Sequence, residues 1–165
     1  MTLWAGFLVF GCASPSGSIQ RLGPARQSPV AGRSLVLLET RCENSANEAE
    51  RRLLQALVGA GLQQSGRFSK IVSTASAFPR PEMKVLVVIK DLKKVSDSAR
   101  LLWGDLAGQA GIATEVQVDD LIDATRITSF QAFGKSSTGW DGAGTTDQAL
   151  QKAAEQIVAE LIKIP

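Results

Sequence analysis

Residues 84–92, KVLVVIKDL, decide the fold of this chain. Their centre, Val85 to Ile89, is an unbroken apolar run in which most side chains are β-branched, and such runs are typical of strands in the middle of a sheet. The sequence therefore predicts a central strand that is buried on both faces. The other elements have to be arranged around it.

The segment that follows, residues 112–118, alternates between two kinds of side chain. Apolar residues or threonine occupy the even positions, and polar residues or alanine occupy the odd ones, which is the period of a half-buried strand. Residues 126–134 form a second such segment, with Phe130 and Ala132 on one side. Turn-forming residues at 119–125 join the two, so we expect a β-hairpin.

A strand and a helix are expected before the central strand. Residues 34–40 (SLVLLET) have the pattern of a short buried strand, and Ser45 with Glu48 has the spacing of a capping box. Gly66 is placed to end the helix, and residues 68–74 resume as a strand. The expected apolar face of this helix consists of Ala49, Leu53, Ala56, Leu57 and Ala60.

The last element is a second amphipathic helix. Thr145 and Gln148 repeat the capping-box spacing at its start. Two helices with one apolar face each need one sheet face to cover, which predicts a two-layer α+β domain with a mixed sheet of about five strands and both helices on one face. The apolar stripe of the second helix is Leu150, Ala154, Ile157, Val158 and Leu161.

The N-terminus has a different character. Residues 3–10 are apolar and end in Gly11 and Cys12, which resembles the lipobox of bacterial lipoproteins, although Phe10 is bulky and no lysine or arginine precedes the run. We expect Cys12 to become an acylated (palmitate-type) N-terminus. Ala13, rather than aspartate, follows the cysteine, and in lipoproteins this implies sorting to the outer membrane, facing the periplasm.

Residues 13–33 are rich in serine, proline and glycine and carry three arginines and no acidic residue. This composition is typical of a flexible linker, which would let the domain stand clear of the membrane. The resulting organisation is a signal peptide at 1–11 (its start possibly truncated), lipidated Cys12 with its linker at 12–33, and a single domain at 34–165. The alternative is a cytosolic domain with a mis-assigned start.

Composition excludes several kinds of chemistry. The chain has no histidine, so the usual general base and metal ligand is missing, and a net charge of +2 argues against a nucleic-acid partner. Its two cysteines cannot form a metal cluster, and with Cys12 lipidated we expect Cys42 to be a lone, buried thiol. We therefore predict no catalytic residue, no metal and no cofactor.

Three other groups of residues have a possible functional interpretation, and for each the structural one is favoured. Asp119, Asp120 and Asp123 form an acidic cluster that could bind a cation, but a solvated turn explains them better.

Gly104, Gly108 and Gly111 lack the spacing of a phosphate-binding loop and are better explained by tight backbone packing. Trp103 and Trp140 could form a binding patch, but they are better explained as side chains that cover one end of the sheet.

The second half of the chain resembles a family of bacterial lipoproteins, the domain of unknown function 4410. The resemblance rests on ARLLWGDLAGQAG at 99–111, IATEVQVDDLIDA at 112–124 and RITSFQAFGKSS at 126–137, and GRFSKI at 66–71 fits the earlier half. Arg126 stands where the family usually has glycine. The resemblance implies a small periplasmic domain and brings no catalytic residues with it.

Together these observations favour a lipid-anchored envelope protein whose domain is a non-enzymatic binding or adaptor module. Its expected partners are the membrane, through the N-terminal lipid, and another envelope protein. The alternative is a hydrolase or small-ligand-binding enzyme without histidine that uses aspartate or lysine groups in the region 93–111.

Overall fold

A computed structural model describes residues 14–23, 35–74, 80–94, 109–137 and 144–164. A short 3-10 turn, Ser45–Asn47, precedes the first helix. In chain order the elements are β1 Ser16–Arg21, β2 Leu35–Cys42, α1 Glu48–Gln64, β3 Lys70–Val72, β4 Met83–Lys93, β5 Gly111–Asp120, β6 Thr125–Lys135 and α2 Thr146–Leu161.

The strands form one mixed sheet in the order β1-β6-β5-β4-β2-β3. Strand β2 runs parallel to β3 and β4, and the other neighbours are antiparallel. Helix α1 covers β2 and β3, helix α2 covers β1, β5 and β6, and the two helices pack against each other. The predicted two-layer α+β architecture is confirmed, with six strands where the sequence indicated about five.

The sheet has two ends and two faces, which we name by the elements that lie there. The upper end is where β2, β4 and β6 terminate, at Cys42, Lys93 and Lys135; the lower end is where the β5–β6 turn lies. The helix face is the one that α1 and α2 cover, and the second face is its opposite.

Strand β4 lies between β2 and β5, which confirms its predicted central position. Its burial alternates: Val85, Val87 and Ile89 are buried in the core, whereas Leu86 and Val88 are half-buried on the second face. The prediction of burial on both faces was therefore wrong. The reason is that both helices lie on the same face, so side chains on the second face have no described helix above them.

Strand β1 lies within the segment interpreted as a linker, and that interpretation is wrong for residues 16–21. The strand pairs antiparallel with β6, from Ser16 opposite Lys135 to Arg21 opposite Phe130. Only Ile19 packs against the core, so the strand has no apolar pattern to reveal it. Backbone hydrogen bonds to β6 hold it as an edge strand, a role that needs little apolar burial.

Helix α1 starts and packs differently from the prediction. The Asn44 side chain accepts a hydrogen bond from the Ala46 backbone N–H at 3.0 Å, and the residue before α1 makes no side-chain cap, so the capping box at Ser45 does not form. The buried face is rotated towards the larger side chains, because burying leucine and valine removes more apolar area from water than burying alanine. Leu54, Val58 and Leu62 are buried, Leu53 and Leu57 are half-buried, and Ala49, Ala56 and Ala60 are exposed.

Helix α2 follows the prediction closely. Its N-cap is Thr145, whose hydroxyl accepts a hydrogen bond from the Gln148 N–H at 3.1 Å. All of the predicted stripe is buried except Val158, which is half-buried. The helix lies so close to the sheet that a Cβ on Gly134 would overlap the Ala149 carbonyl oxygen. None of the described helices has the length and hydrophobicity that crossing a bilayer demands.

Candidate functional site

The upper end of the sheet carries a dense network of charged side chains. Strand β2 ends at Cys42, and the chain turns at once into α1, which brings the first turn of the helix beside the end of the strand. Arg51 donates from Nε to Glu48 Oε2 and from Nη2 to Glu48 Oε1, both at 2.7 Å. Its Nη1 donates to the Thr40 carbonyl at 3.0 Å and to Gln55 Oε1 at 2.8 Å. Arg51 therefore ties α1 to the end of β2.

This network fixes the charge of its members. Hydrogen bonds from Arg51, with a weaker contribution from Arg52, outweigh burial and lower the pKa of Glu48 to about 2. The same carboxylate raises the pKa of Arg51. Cys42 is a free, half-buried thiol whose Sγ lies 3.9 Å from Glu48 Oε2, and it packs against the core. The thiol was expected to be buried, and its burial is only partial.

Two lysines complete the network from the end of β4. Lys90 pairs with Glu43, which raises the pKa of Lys90, and Lys94 pairs with Glu50 at 2.6 Å. Burial alone would raise the pKa of Glu50, but the hydrogen bond from Lys94 lowers it overall. The pKa shifts in this network thus all favour the charged forms. They move the pKa values further from neutral pH, whereas general acids and bases need pKa values near it.

A second, partly buried ion pair lies where β1 ends, beside the C-terminal part of α2. Arg21, the last residue of β1, donates to Glu160 Oε1 from Nε at 2.9 Å and from Nη2 at 2.6 Å, and Lys163 Nζ lies 3.2 Å from Glu160 Oε2. Burial would raise the pKa of Glu160, but the hydrogen bonds from Lys163 and Arg21 lower it overall. Sequence reasoning missed this pair. The signal for it was a glutamate three residues beyond Ile157 within the apolar stripe of α2.

The acidic cluster of the β5–β6 turn serves the turn itself. Asp120 Oδ1 accepts hydrogen bonds from the Ile122 N–H at 2.8 Å and the Asp123 N–H at 3.2 Å, and Asp119 pairs with Arg126 across the hairpin. Ala124 closes the turn with a φ of 52°. The predicted hairpin is confirmed, and these aspartates serve the turn, but Asp120 is buried and not solvated as expected. Within the described ranges, no group of three or more potential metal-ligating side chains comes together.

The remaining sequence-predicted positions divide into two sets. Gly111 starts β5 between β4 and β6, so it belongs to a strand and not to a phosphate-binding loop before a helix. The others lie outside the described residues: Cys12, Gly104, Gly108, Trp103 and Trp140.

The large apolar side chains that are exposed within the described ranges all lie in the lower half of the molecule. Ile122 (57 % exposed) and Leu121 sit on the β5–β6 turn, Leu22 follows β1 and donates its N–H to the Ser129 carbonyl, and Ile162 follows α2. We call Leu22, Leu121, Ile122 and Ile162 the lower apolar residues. A groove of about 580 Å³ between the helices includes Ile162 and is lined mainly by small and apolar side chains, among them Leu57, Ala60, Gly61, Ala154 and Val158.

Comparison with solved structures identifies bacterial proteins of the same fold. A single-substitution variant of PelC from Paraburkholderia phytofirmans, a dodecamer, superposes with a TM-score of 0.55 at 12% identity over 86% of this chain and 95% of that one. A hypothetical protein from Chlamydia trachomatis gives 0.52 at 13% identity over 79% and 97%, and a domain-of-unknown-function 330 protein from Xanthomonas campestris gives 0.51 at 12% identity over 79% and 81%.

No family model matches the sequence, including one for the domain of unknown function 4410, and no curated protein matches it. At such low identity the structural likeness establishes the fold alone. The chain therefore has the α+β fold found in these bacterial proteins.

Proposed function

We propose that this chain is a lipid-anchored protein of the bacterial cell envelope. Cys12 carries the acyl chains in the outer membrane, and the α+β domain works on the periplasmic side as a non-enzymatic binding or adaptor module. The observation that carries the proposal is the uncharged run at residues 3–11, which ends in a glycine and is followed by Cys12, shortly before the first strand of the folded domain.

The energetics of acylation support lasting attachment. A single acyl chain binds a bilayer only marginally, since each buried methylene contributes roughly 0.8 kcal/mol. Bacterial lipoproteins typically carry three chains on the modified cysteine, which makes release negligible. The protein would then act where it is anchored.

The state of the charged groups supports binding rather than catalysis. Glu48, Glu50 and Glu160 all have lowered pKa values and are held by arginine or lysine side chains. Arg21 and Lys94 thereby connect a helix to the end of a strand, and these three carboxyl groups are not poised to exchange a proton at neutral pH. They give a rigid domain that can present a surface.

The lower apolar residues are the best candidate for that surface. Leu121 and Ile122 lie on the β5–β6 turn, Leu22 follows β1, and Ile162 follows α2 and lines the groove between the helices. Exposed large apolar side chains in one half of a domain are typical of protein interfaces. The partner that fits them is an envelope protein with an apolar surface of its own.

Metabolic labelling with an alkyne fatty acid tests the anchor. Wild-type protein should incorporate the label and fractionate with outer membranes, whereas Cys12→Ala should do neither. Cys42→Ser is the matched control, since it removes the other cysteine and should keep both properties. Label that persists in Cys12→Ala, or a wild-type protein without label, overturns the proposal.

A further inference from the structure

The start of β1 determines how far the domain can stand from the membrane. Ser16 already pairs with Lys135 in the sheet, and only three residues separate it from Cys12. An extended chain spans at most about 3.5 Å per residue, so the Cα atoms of Cys12 and Ser16 can be no more than about 14 Å apart. The 20-residue linker expected from composition is therefore not available on this side of the domain.

The direction of β1 determines which end of the domain lies near Cys12. The strand is antiparallel to β6, so it starts at the upper end and finishes with Arg21 opposite Phe130, midway along β6. Strand β6 extends from Thr125 to Lys135, which corresponds to about 33 Å at the usual rise per residue. A short connection to Ser16 therefore keeps the upper end close to Cys12 and the β5–β6 turn, with Leu121 and Ile122, far from it, while Leu22 lies between the two ends beside Ser129.

Within the part of the chain that the structure describes, the row of residues beside Ser16 carries two cations without an ion-pair partner. Along one register line the sheet places Ser16, Lys135, Gly111 and Lys93 side by side. Gly111 has no side chain, so nothing from β5 stands between the two lysines, which are two strand spacings, about 10 Å, apart. Both are exposed. Within the described ranges neither forms an ion pair, in contrast to Lys90 and Lys94, which bind Glu43 and Glu50.

The surroundings of the pair leave the lysines available. Asp91 lies two residues below Lys93 on β4 and makes no ion pair with it within the described ranges. Ser18 and Phe133, below Ser16 and Lys135, are uncharged. Two exposed ammonium groups at the end nearest to a lipidated cysteine match the phosphate groups of phospholipids in charge and position.

We propose that the upper end of the domain is a membrane-facing surface on which Lys93 and Lys135 bind the phosphates of anionic phospholipid headgroups. The inference rests on the proposed acylation of Cys12. It also orients the molecule, because the lower apolar residues then point away from the membrane. We expect each lysine to raise the ratio of membrane-contacting to detached molecules about fivefold at an anionic surface.

Fluorescence quenching in vesicles tests the orientation. The full acylated chain with Cys42→Ser is labelled through Ser45→Cys at the upper end or Ile122→Cys at the lower end, both at exposed positions. The vesicles contain phosphatidylglycerol and lipids with a nitroxide on the headgroup. The label at position 45 should be quenched and the label at 122 should not; equal quenching at both sites overturns the inference.

Mass spectrometry of the N-terminus separates the two possible failures. An acylated chain with equal quenching leaves the anchor in place and rejects the orientation. A chain that carries no acyl group rejects the proposed function, and the inference with it.

The lysine pair is tested in the same vesicles. Lys93→Gln with Lys135→Gln should lower the ratio of membrane-contacting to detached molecules about fivefold per lysine, and vesicles of phosphatidylcholine alone should lower the wild-type ratio likewise. Lys70→Gln is the matched control, since it removes an exposed lysine at the lower end and should leave the ratio unchanged. An unchanged ratio in the double variant overturns the phosphate contact.

Discussion

Arg21 and Glu160 join the first strand to the last helix across 139 residues of sequence, with two arginine nitrogens on one carboxylate oxygen at 2.6 and 2.9 Å. The glutamate side chain is 10% exposed. Helix α2 therefore holds the last residue of the edge strand β1 against the sheet, opposite the middle of β6. Because β1 also leads to Cys12, the same contact fixes the strand through which the proposed anchor is connected.

Arg21→Met is expected to destabilise the protein by about 1–2 kcal/mol, because it leaves the buried carboxylate of Glu160 with Lys163 as its remaining cation. Urea unfolding measures this cost. Arg41→Met is the control, since Arg41 pairs with Glu39 near the surface and its loss should cost under about 0.5 kcal/mol. Hydrogen exchange should accelerate in β1 before the other strands; unchanged protection of β1 would show that the ion pair does not hold it.

The loss of stability at acid pH should depend on Glu48. Its pKa is about 2 in the folded protein, against an ordinary value of 4.5. A lowered folded-state pKa contributes stability that is present above the ordinary value and is lost as the pH falls towards 2. Glu48→Gln should therefore be less stable than wild type at pH 7. Its free energy of unfolding should also decrease less than that of the wild type between pH 5 and pH 2. Denaturant midpoints across this range measure both; parallel curves for the two proteins would contradict the assignment.

Gly134 tests the contact between α2 and the sheet. A methyl group at this position would overlap the Ala149 carbonyl oxygen, so the helix must shift away in Gly134→Ala. We expect a loss of about 1–3 kcal/mol or more. Gly111→Ala is the control on the neighbouring strand, where the added Cβ would lie 3.9 Å from the nearest atom. Thermal unfolding should separate the two variants clearly, and equal midpoints would contradict the close packing.

Elements with a strong side-chain pattern could be predicted from the sequence, and those held by backbone or distant contacts could not. The alternation in β5, the apolar run of β4 and the cap at Thr145 each report burial or hydrogen bonding within a few residues. Strand β1 offers no such pattern, because Ile19 alone packs on the core. Its pairing with β6 depends on residues more than a hundred positions away.

The buried face of α1 and the charged network at the upper end show the same limit of prediction from sequence. Alanine and leucine recur at helical spacing in α1, and the larger side chains took the core positions, so Ala56 and Ala60 became exposed. Glu48 was expected to cap the helix, but Arg51 at i+3 binds its carboxylate with two nitrogens. Local propensity was outweighed by a charge-assisted pair, which is stronger than a neutral cap.

The lower apolar residues should contact a partner only when the chain is anchored. A photo-crosslinking amino acid at Ile122, which is 57% exposed, should give an adduct of defined mass with one envelope protein in cells. The same residue at Ser45, at the upper end, should not give that adduct, because that end faces the lipid headgroups. The adduct at position 122 should disappear in Cys12→Ala, while Cys42→Ser retains it. An adduct that forms at position 45 instead would place the binding surface elsewhere on the domain. An adduct at position 122 that persists in Cys12→Ala would show that binding does not require the anchor.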